Sequence, residues 1–238
     1  MSTRPTTAMV LAAGLGTRMR PLTEFTPKPL VSVAGKALID HMLDRLVGVG
    51  VTRAVVNVHY RADQLEAHLR MRTAPEIVVS DERAQLMETG GGLVQARALL
   101  GDDPIFVTNT DQILHADQPD ALGALAAAWD DLAMDALLLL APRAHSLGYD
   151  GAGDFFCAAD GRLGRRGGAA QAPFAYTGVQ ILHPRCLAGW PCAPFSTNRI
   201  WDQALARARL FGVVMSGTWM HVGDPGARDA AEAILSGA

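Results

Sequence analysis

The sequence predicts an α/β fold with a mostly parallel central sheet, helices on both of its faces, and a small mixed sheet in the second half. The chain of 238 residues is long enough to bury one large core. Apolar runs of strand length alternate with longer segments of helical periodicity, which is typical of βαβ units. This alternation ends near Gly148, where glycine-rich stretches and short apolar runs begin.

The elements of the first half follow one another without a linker or an internal repeat. Residues 9–13 are apolar throughout, which predicts a strand buried on both faces. Residues 37–49 carry apolar side chains at helical spacing, and Gly50 then predicts a helix end. The same reasoning predicts strands at 54–60, 76–80, 104–109 and 135–141, and helices at 62–72, 91–100 and 120–132.

The second half contains shorter elements. A closing helix at 225–235 begins with Pro225, a residue that suits the first helical turn. Short apolar runs are expected to form the small mixed sheet. The predicted elements are strands at 155–157, 175–182 and 213–215, and a helix at 198–210.

Composition and charge exclude several classes of function. A net charge of −3 gives no positive field for nucleic acid, and the longest apolar run, residues 136–141, is too short to span a membrane. Residues 1–7 lack the apolar core of a signal peptide. Three cysteines without a C-x-x-C pair argue against a disulfide or zinc framework. We therefore expect a cytoplasmic monomer or small homo-oligomer that binds small molecules.

The loop after the first strand predicts a polyphosphate site. It reads Leu11-Ala12-Ala13-Gly14-Leu15-Gly16-Thr17-Arg18 and continues to Pro27-Lys28-Pro29. Glycines let a charged ligand approach the backbone, whose N–H groups bind phosphate. The prolines hold the segment around Lys28 extended. Only Lys28 and Lys36 are lysines among the 21 basic residues, so a point charge is kept in this loop of an arginine-rich chain.

The same glycines also open the dinucleotide-binding pattern G-x-G-x-x-G, which is a competing interpretation. The third glycine position holds Met19, and Pro21 interrupts the expected helix start. The second predicted strand ends without the acidic residue that would hold a ribose. We therefore do not favour a nicotinamide or flavin enzyme.

The motif L-A-A-G-x-G-T-R-M-x-P-L-T, followed by P-K-P-L, resembles the signature of the sugar-1-phosphate nucleotidylyltransferases. With Glu88-Thr89-Gly90-Gly91-Gly92, the chain is most similar to their short branch, the N-acetylmuramate-1-phosphate uridylyltransferases of cell-wall recycling. The resemblance implies a Rossmann-like three-layer nucleotidyltransferase fold of the glycosyltransferase-A-like type, in a single domain of residues 1–238. It also implies that residues 1–147 hold the nucleotide and residues 148–238 the sugar.

The reaction implied by this resemblance is transfer of a nucleoside monophosphate from a nucleoside triphosphate to a sugar 1-phosphate, with release of pyrophosphate. UTP and N-acetylmuramate 1-phosphate are the favoured substrates. The alternatives are mannose-1-phosphate guanylyl transfer and nucleotidyl transfer to glucose or N-acetylglucosamine 1-phosphate. A non-catalytic nucleotide-sugar-binding regulatory protein on the same fold is the alternative of another class.

Carried over by motif, the resemblance assigns Arg18, Lys28 and Asp111 to catalysis. Asp111 also follows the strand at 104–109, where open α/β sheets bind ligands, and its carboxylate suits Mg²⁺, the expected cofactor. The expected nucleotide-binding residues are Leu11, Ala12, Ala13, Gly14, Leu15, Gly16, Thr17, Gly90 and Gly91. The expected sugar-binding residues are Glu88, Thr89, Asn109, Tyr176, Thr177, Gly178 and Asn198.

The chain departs from the family pattern at His221. The family motif W-x-D-V-G, which supplies a second metal aspartate, matches Trp219-Met220-His221-Val222-Gly223. Imidazole is a poor ligand for Mg²⁺. Several explanations are open. His221 contacts a phosphate or ribose instead, Asp224 or His221 acts as a second metal ligand, or Asp111 and the substrate phosphates suffice. A further alternative is that catalysis is weakened or lost.

A second departure concerns the sugar side. Some relatives hold the sugar phosphate with a second lysine, and this chain has none after Lys36. Arg165 or Arg166 are the available replacements, although a solvated turn fits both better. Arg165, Arg166 and Arg199 are also the candidate partners for the carboxylate of a muramyl sugar.

Overall fold

The computed structural model describes residues 4–116 and 120–237. Its strands are β1 (Thr7–Leu11), β2 (Ser32–Val33), β3 (Lys36–Ala37), β4 (Arg53–Val58), β5 (Glu76–Asp81), β6 (Ile105–Asn109), β7 (Gln112–His115), β8 (Ala136–Pro142), β9 (Ser146–Leu147), β10 (Phe155–Cys157), β11 (Leu163–Arg165), β12 (Phe174–Leu182), β13 (Leu210–Val214) and β14 (Thr218–His221). Its α-helices are α1 (Leu38–Gly48), α2 (Ala62–Leu69), α3 (Glu88–Gln95), α4 (Arg97–Leu100), α5 (Ala121–Ala128), α6 (Asn198–Ala206) and α7 (Pro225–Ser236).

One large sheet organises the molecule. Strands β6, β1, β4 and β5 lie side by side and are parallel, so their carboxyl ends meet at one edge. Strand β12 runs antiparallel between β6 and β8, and β13 extends the sheet in parallel with β8. Strands β10 and β11 continue the sheet from β12. The predicted α/β fold with a large Rossmann-like sheet is confirmed.

Helices cover both faces of this sheet. Successive residues of a strand point to opposite faces, so Val10 and Phe106 join the core beneath α1, α2 and α5. Their neighbours Met9 and Val107 join the core beneath α3, α4 and α6. A third, smaller core packs α7 against β14 and β7. The apolar runs in the sequence are continuous because both faces of these strands are buried.

The small mixed sheet is present, but its strands differ from those predicted. It consists of β7, β14 and β9, in which β14 is antiparallel to β7 and parallel to β9. The segments 155–157 and 175–182, expected in that sheet, belong to β10 and β12 of the large sheet. The prediction was wrong here because strand pairing depends on contacts far apart in the sequence.

Several helix predictions were also wrong at their ends. The helices expected at 62–72 and 120–132 end at Leu69 and Ala128. The helix expected at 91–100 begins at Glu88 and is divided at Ala96, so the E-T-G motif is its first turn. The helix expected at 198–210 ends at Ala206, because Leu210 is already paired with Ala136 in the sheet. Tertiary pairing overrides helical periodicity at that position.

No helix within residues 4–116 and 120–237 is long and apolar enough to cross a membrane. Cys157, Cys186 and Cys192 form no disulfide bond.

Candidate functional site

The parallel strands bring the predicted loop to the carboxyl edge of the sheet. Leu11, the last residue of β1, lies directly opposite Asn109, the last residue of β6. After Leu11 the loop turns at Gly16, whose φ of +65° lies in the left-handed region. A Cβ added at Gly16 would lie 3.0 Å from Cβ of Lys28, so glycine allows the lysine to pack against this turn.

A cavity of about 450 Å³ opens at this edge. Most of the predicted nucleotide-binding and catalytic residues line it, as do three of the predicted sugar-binding residues. The predicted residues on its wall are Leu11, Ala12, Ala13, Gly14, Gly16, Thr17, Arg18, Lys28, Glu88, Thr89, Asn109 and Asp111. Leu15, between the wall residues Gly14 and Gly16, is exposed and is not among the residues of this wall.

A second cavity of about 250 Å³ adjoins the first. The two share the wall residues Leu11, Thr89, Asn109 and Ser196. The rest of the second cavity comes from the second half of the chain. Its wall residues there are Asp154, Phe155, Arg165, Tyr176, Gln180, Thr197, Asn198 and Trp201. The arrangement therefore offers two adjacent compartments with a common boundary.

Asp111 is the most strongly perturbed carboxylate of the first cavity. Its side chain is 17% exposed, and its Oδ2 lies 2.7 Å from Nζ of Lys28 and 3.4 Å from Nε2 of His221. Burial raises the pKa of Asp111, but the hydrogen bond from His221 and the charge of Lys28 outweigh burial and hold that pKa well below its usual range. The carboxylate therefore stays ionised at neutral pH.

Strand pairing explains how His221 reaches Asp111. The backbone N–H of Val222, next to His221, donates to the Asp111 carbonyl oxygen at 2.7 Å. The imidazole stacks on Trp219, and its Nδ1 lies 3.2 Å from the Gly148 carbonyl oxygen. His221 thus occupies the place that the motif match predicted, beside the carboxylate.

Asp224, the other candidate for a second metal ligand, has a different role in the structure. Its Oδ1 accepts a hydrogen bond from the Ala227 N–H at 2.9 Å and caps α7. Capping satisfies an otherwise unpaired N–H at the helix start. The structure thus gives Asp224 a capping role and does not place it among the wall residues of the first cavity.

Arg18 lies in a short 3₁₀ turn on the wall of the first cavity and is exposed. It makes no hydrogen bond or ion pair with the part of the chain that the structure describes. Its guanidinium is therefore available to an anion in the cavity, in contrast to Lys28, whose ammonium is held against Asp111.

Gly90 and Gly91 do not face the nucleotide cavity, which corrects their assignment. Their N–H groups both donate to the carbonyl oxygen of Phe195, at 2.8 and 3.2 Å. A Cβ at Gly90 would lie 2.4 Å from the Phe195 ring, and one at Gly91 would lie 2.3 Å from the Ala193 carbonyl oxygen. These glycines allow the loop 193–197 to dock on α3, and docking places Ser196 between the two cavities.

We expect Gly91→Ala to displace this loop. The added methyl group has no space, so the free energy of unfolding should fall by about 1–3 kcal/mol and the KM for both substrates should rise. Gly48→Ala is the matched control, because a Cβ at Gly48 in α1 meets nothing within 4 Å. Thermal unfolding and steady-state kinetics measure both effects. Unchanged stability and KM in Gly91→Ala would contradict this role for the docked loop.

Two further sugar-binding assignments are corrected. Thr177 is buried, and its hydroxyl donates to the Leu139 carbonyl oxygen at 3.0 Å. Gly178 is buried at φ +88°, and a Cβ there would lie 2.1 Å from Oε1 of Gln112. Both residues belong to a bulge of β12, where the register with β8 shifts. These two residues are therefore turned away from the second cavity, whereas Tyr176 and Gln180 of the same strand line it.

Tyr176 and Asn198 line the second cavity, as predicted residues of the sugar side. The Tyr176 ring packs edge-on against Trp201 with 4.7 Å between ring centroids, and burial raises the pKa of its phenol above the usual range. Asn198 accepts a hydrogen bond from Arg165 at 2.7 Å through its Oδ1.

Arg165 lines the second cavity and supplies its positive charge, although the sequence pattern favoured a solvated turn for this residue. Its guanidinium lies over the Phe155 ring at 5.1 Å and donates to Asp202 at 2.8 Å. Arg166 instead donates to backbone carbonyl oxygens, and Arg199 lies over the Trp190 ring. The sequence could not separate these three arginines, because only the strand pairing of β10 and β11 decides which one faces the cavity.

Sequence reasoning missed Asn57, Asp154 and Ser196, which also line the cavities. Asn57 had one usable signal, since it is a polar residue that interrupts the apolar run from Ala54 to Val58 in β4. Asp154 and Ser196 lie in irregular segments that carry no periodic pattern.

Comparison with known proteins agrees with this geometry. A family model described as nucleotidyl transferase matches residues 7–149. The chain is 55% identical over 240 residues to the N-acetylmuramate alpha-1-phosphate uridylyltransferase of Caulobacter vibrioides, and the match covers 99% of each chain. It is 32% identical over 219 residues to the protein of the same name from Neisseria meningitidis serogroup B, covering 91% of this chain and 92% of that protein.

The chain therefore belongs to the nucleotidyl transferase family, as the loop motif predicted. The fold is also that of the inositol-1-phosphate CTP transferase from T. maritima. That solved structure superposes with a TM-score of 0.78 at 18% identity, covering 100% of this chain and 99% of the other.

Proposed function

We propose that this chain transfers the uridylyl group of UTP to N-acetylmuramate 1-phosphate and releases pyrophosphate. The observation that carries the proposal is the pair of adjacent cavities, with Lys28 and Asp111 in the first and Arg165 in the second. The full-length similarity to the Caulobacter vibrioides protein supports the choice of both substrates. A cytoplasmic role in recycling cell-wall sugars is part of this proposal.

The division of labour between the two halves follows from the same cavities. We infer that the first half, residues 1–147, holds the nucleotide, since its loops supply most of the larger cavity. The second half, residues 148–238, supplies most of the smaller cavity and would hold the sugar. The shared wall at Asn109 and Ser196 would then bring the two phosphates together.

The donor set of the first cavity fits Mg²⁺ carried in by the triphosphate. Mg²⁺ commonly binds one or two carboxylates together with substrate phosphates, and Asp111 offers one ionised carboxylate on the cavity wall. Within residues 4–116 and 120–237, no three acidic, histidine or cysteine side chains form a ready-made metal site. When bound, the ion would neutralise phosphate charge, with Asp111 as its ligand from this chain.

The reaction needs no nucleophile from the protein. An oxygen of the sugar phosphate attacks the α-phosphorus, a new P–O bond forms, and the bond to the bridging oxygen of pyrophosphate breaks. Lys28, held at 2.7 Å from Asp111, would stabilise charge where the phosphates meet. The unpaired guanidinium of Arg18 would bind the departing pyrophosphate. Catalysis of this kind rests on positioning and charge neutralisation.

Arg165 supports the choice of a muramyl sugar. This sugar carries a lactyl carboxylate that N-acetylglucosamine lacks, and a guanidinium recognises carboxylates well. The Phe155 ring and Asn198 fix the Arg165 side chain, and its Nε–H has no acceptor in the described part of the chain. We infer that this group binds the lactyl carboxylate.

For His221 we propose a polar contact rather than a metal bond. In His221→Asp, a second negative charge would stand near Asp111 and the triphosphate. Unit like charges at about 4 Å repel by roughly 4 kcal/mol at an effective dielectric constant near 20. We expect nucleotide affinity and turnover to fall. Mg²⁺ titration and steady-state kinetics measure this; tighter Mg²⁺ binding with unchanged or higher turnover would instead favour a metal site at position 221.

A pyrophosphate-release assay across UTP, GTP, CTP and dTTP, with each sugar 1-phosphate, tests the proposed activity. We expect release to be fastest with UTP. Preference for GTP and mannose 1-phosphate would support a guanylyltransferase instead. Nucleotide-sugar binding without release in any combination would support the regulatory alternative.

A further inference from the structure

A buried chain of hydrogen bonds links two segments of the nucleotide cavity wall. The Ala12 N–H donates to Oδ1 of Asn57 at 2.6 Å, and Nδ2 of Asn57 donates to Oε1 of Glu82 at 2.8 Å. Oε2 of Glu82 accepts the Met87 N–H at 3.1 Å. Asn57 and Glu82 are 2% and 1% exposed, so water does not replace these bonds.

The ends of this chain belong to two different segments of the cavity wall. Ala12 begins the loop that contains Ala13 and Gly14, whereas Met87 immediately precedes Glu88 and Thr89. No further side chain is needed to connect them. The length of the Asn57–Glu82 pair therefore sets the separation of the phosphate-binding loop from the start of α3.

Gly92 gives independent support for this role. A Cβ at Gly92 would lie 2.8 Å from Oε1 of Glu82 and 3.1 Å from Nδ2 of Asn57. The third glycine of the E-T-G-G-G motif thus leaves space for the Asn57–Glu82 bond, whereas Gly90 and Gly91 leave space for the loop 193–197. The motif supports both the nucleotide wall and the boundary with the second cavity.

The pair is also anchored at its outer end. The Glu82 N–H donates to the Val58 carbonyl oxygen at 2.8 Å, and the Glu82 carbonyl oxygen lies 2.7 Å from Nδ1 of His59. Among the described residues the Glu82 carboxylate has no ion pair. Its hydrogen bonds from Asn57 and Met87 therefore have to offset the free-energy cost of burying it. Loss of one donor leaves a buried polar group unpaired, which is costly.

We propose that Asn57 and Glu82 are positioning residues that fix the width of the nucleotide cavity. They act through the Ala12 and Met87 backbones. Asn57 lies on the cavity wall, but both polar atoms of its side chain are bound to Ala12 and Glu82. The inference rests on the proposed function for the class of ligand, a nucleoside triphosphate. Substitution of either residue should therefore weaken nucleotide binding more than it weakens sugar-phosphate binding.

A reciprocal exchange tests the pair. Asn57→Asp alone places two carboxylates against each other. Glu82→Gln alone lacks an acceptor for either Asn57 or Met87, because an amide has one oxygen. In the double variant N57D/E82Q, the carboxylate introduced at position 57 accepts from Ala12 and from the amide introduced at position 82, whose oxygen accepts from Met87. Every bond is restored, with the direction of the central one reversed.

Calorimetry measures nucleotide affinity, and kinetics measure both KM values, with thermal unfolding recorded for each variant. These measurements use the nucleoside triphosphate that the wild-type protein turns over fastest. If that nucleotide is not UTP, the proposed function is corrected, but the test of the Asn57–Glu82 pair still holds. We expect each single variant to weaken nucleotide binding about tenfold or more, for roughly one lost hydrogen bond, and the KM for sugar phosphate to change less. The double variant should return to within about threefold of wild type.

Several results would overturn the proposal. One is a pair of single variants that lose thermal stability but bind nucleotide normally, because the role would then be structural alone. Another is a double variant that folds but binds nucleotide no better than the worse single variant. If a single variant does not fold, the nucleotide affinity of the double variant is compared directly with that of wild type, and this comparison decides the test. If wild type binds no nucleoside triphosphate, the positioning role also fails.

Discussion

Lys28→Ala should lower kcat by roughly 10²–10³, the scale expected for loss of one preorganised charge donor at a developing anion. The Lys28 side chain is only 13% exposed and its ammonium contacts Asp111, so solvent cannot replace it at the same position. Lys28→Arg should also be poor, because a planar fork does not replace a point charge held at 2.7 Å from Asp111. Stopped-assay measurement of pyrophosphate release gives both values.

Lys36→Ala is the matched control for this prediction. Lys36 is the other lysine, is 41% exposed, and pairs with Asp44 away from the nucleotide cavity. Its removal should leave kcat within about twofold, since an exposed ion pair contributes little. Near-wild-type turnover in both Lys28 variants would remove Lys28 from the mechanism.

Asp111→Asn should also reduce turnover strongly, on the order of 10²-fold or more, because it keeps the side-chain shape but removes the charge that holds Lys28 and would bind the metal. Added Mg²⁺ should restore activity only in part. The pKa of Asp111 is held low, so its protonation should not set the acid limb of the wild-type pH–rate profile between about pH 5 and pH 8.

Asp224→Asn separates the two candidate carboxylates. Asp224 caps α7, so its substitution should reduce stability by up to about 1 kcal/mol and leave the Mg²⁺ dependence of turnover unchanged. Normal Mg²⁺–nucleotide turnover in Asp111→Asn, together with altered Mg²⁺ dependence in Asp224→Asn, would reverse the metal assignment.

The sequence predicts the central sheet, and it predicts that Arg18, Lys28 and Asp111 meet at the edge of that sheet, because both depend on local patterns. Apolar runs mark strands buried on both faces, and the residues that follow such strands meet at one edge. Asp111 comes two residues after β6 and Lys28 lies between two prolines, so their meeting required only that β1 and β6 be neighbours.

The sugar side and the role of Gly90 were predicted less well, because both depend on contacts between distant segments. Gly90 has the same sequence signal whether it faces a ligand or the Phe195 carbonyl oxygen, more than a hundred residues away. The sequence gives no sign that Thr177 is buried, because its burial follows from the bulge of β12. Arg165 could not be distinguished from Arg166 without the pairing of β10 and β11.

The most direct test of the proposed function offers UTP with an equimolar mixture of N-acetylmuramate, N-acetylglucosamine and glucose 1-phosphates. Mass spectrometry of the nucleotide sugars formed gives the relative kcat/KM for each acceptor. We predict that UDP-N-acetylmuramate dominates, and that Arg165→Met reduces its lead over UDP-N-acetylglucosamine by roughly 10–100-fold, the effect of one charge-assisted hydrogen bond. Equal formation of UDP-glucose by wild type would contradict the muramyl assignment.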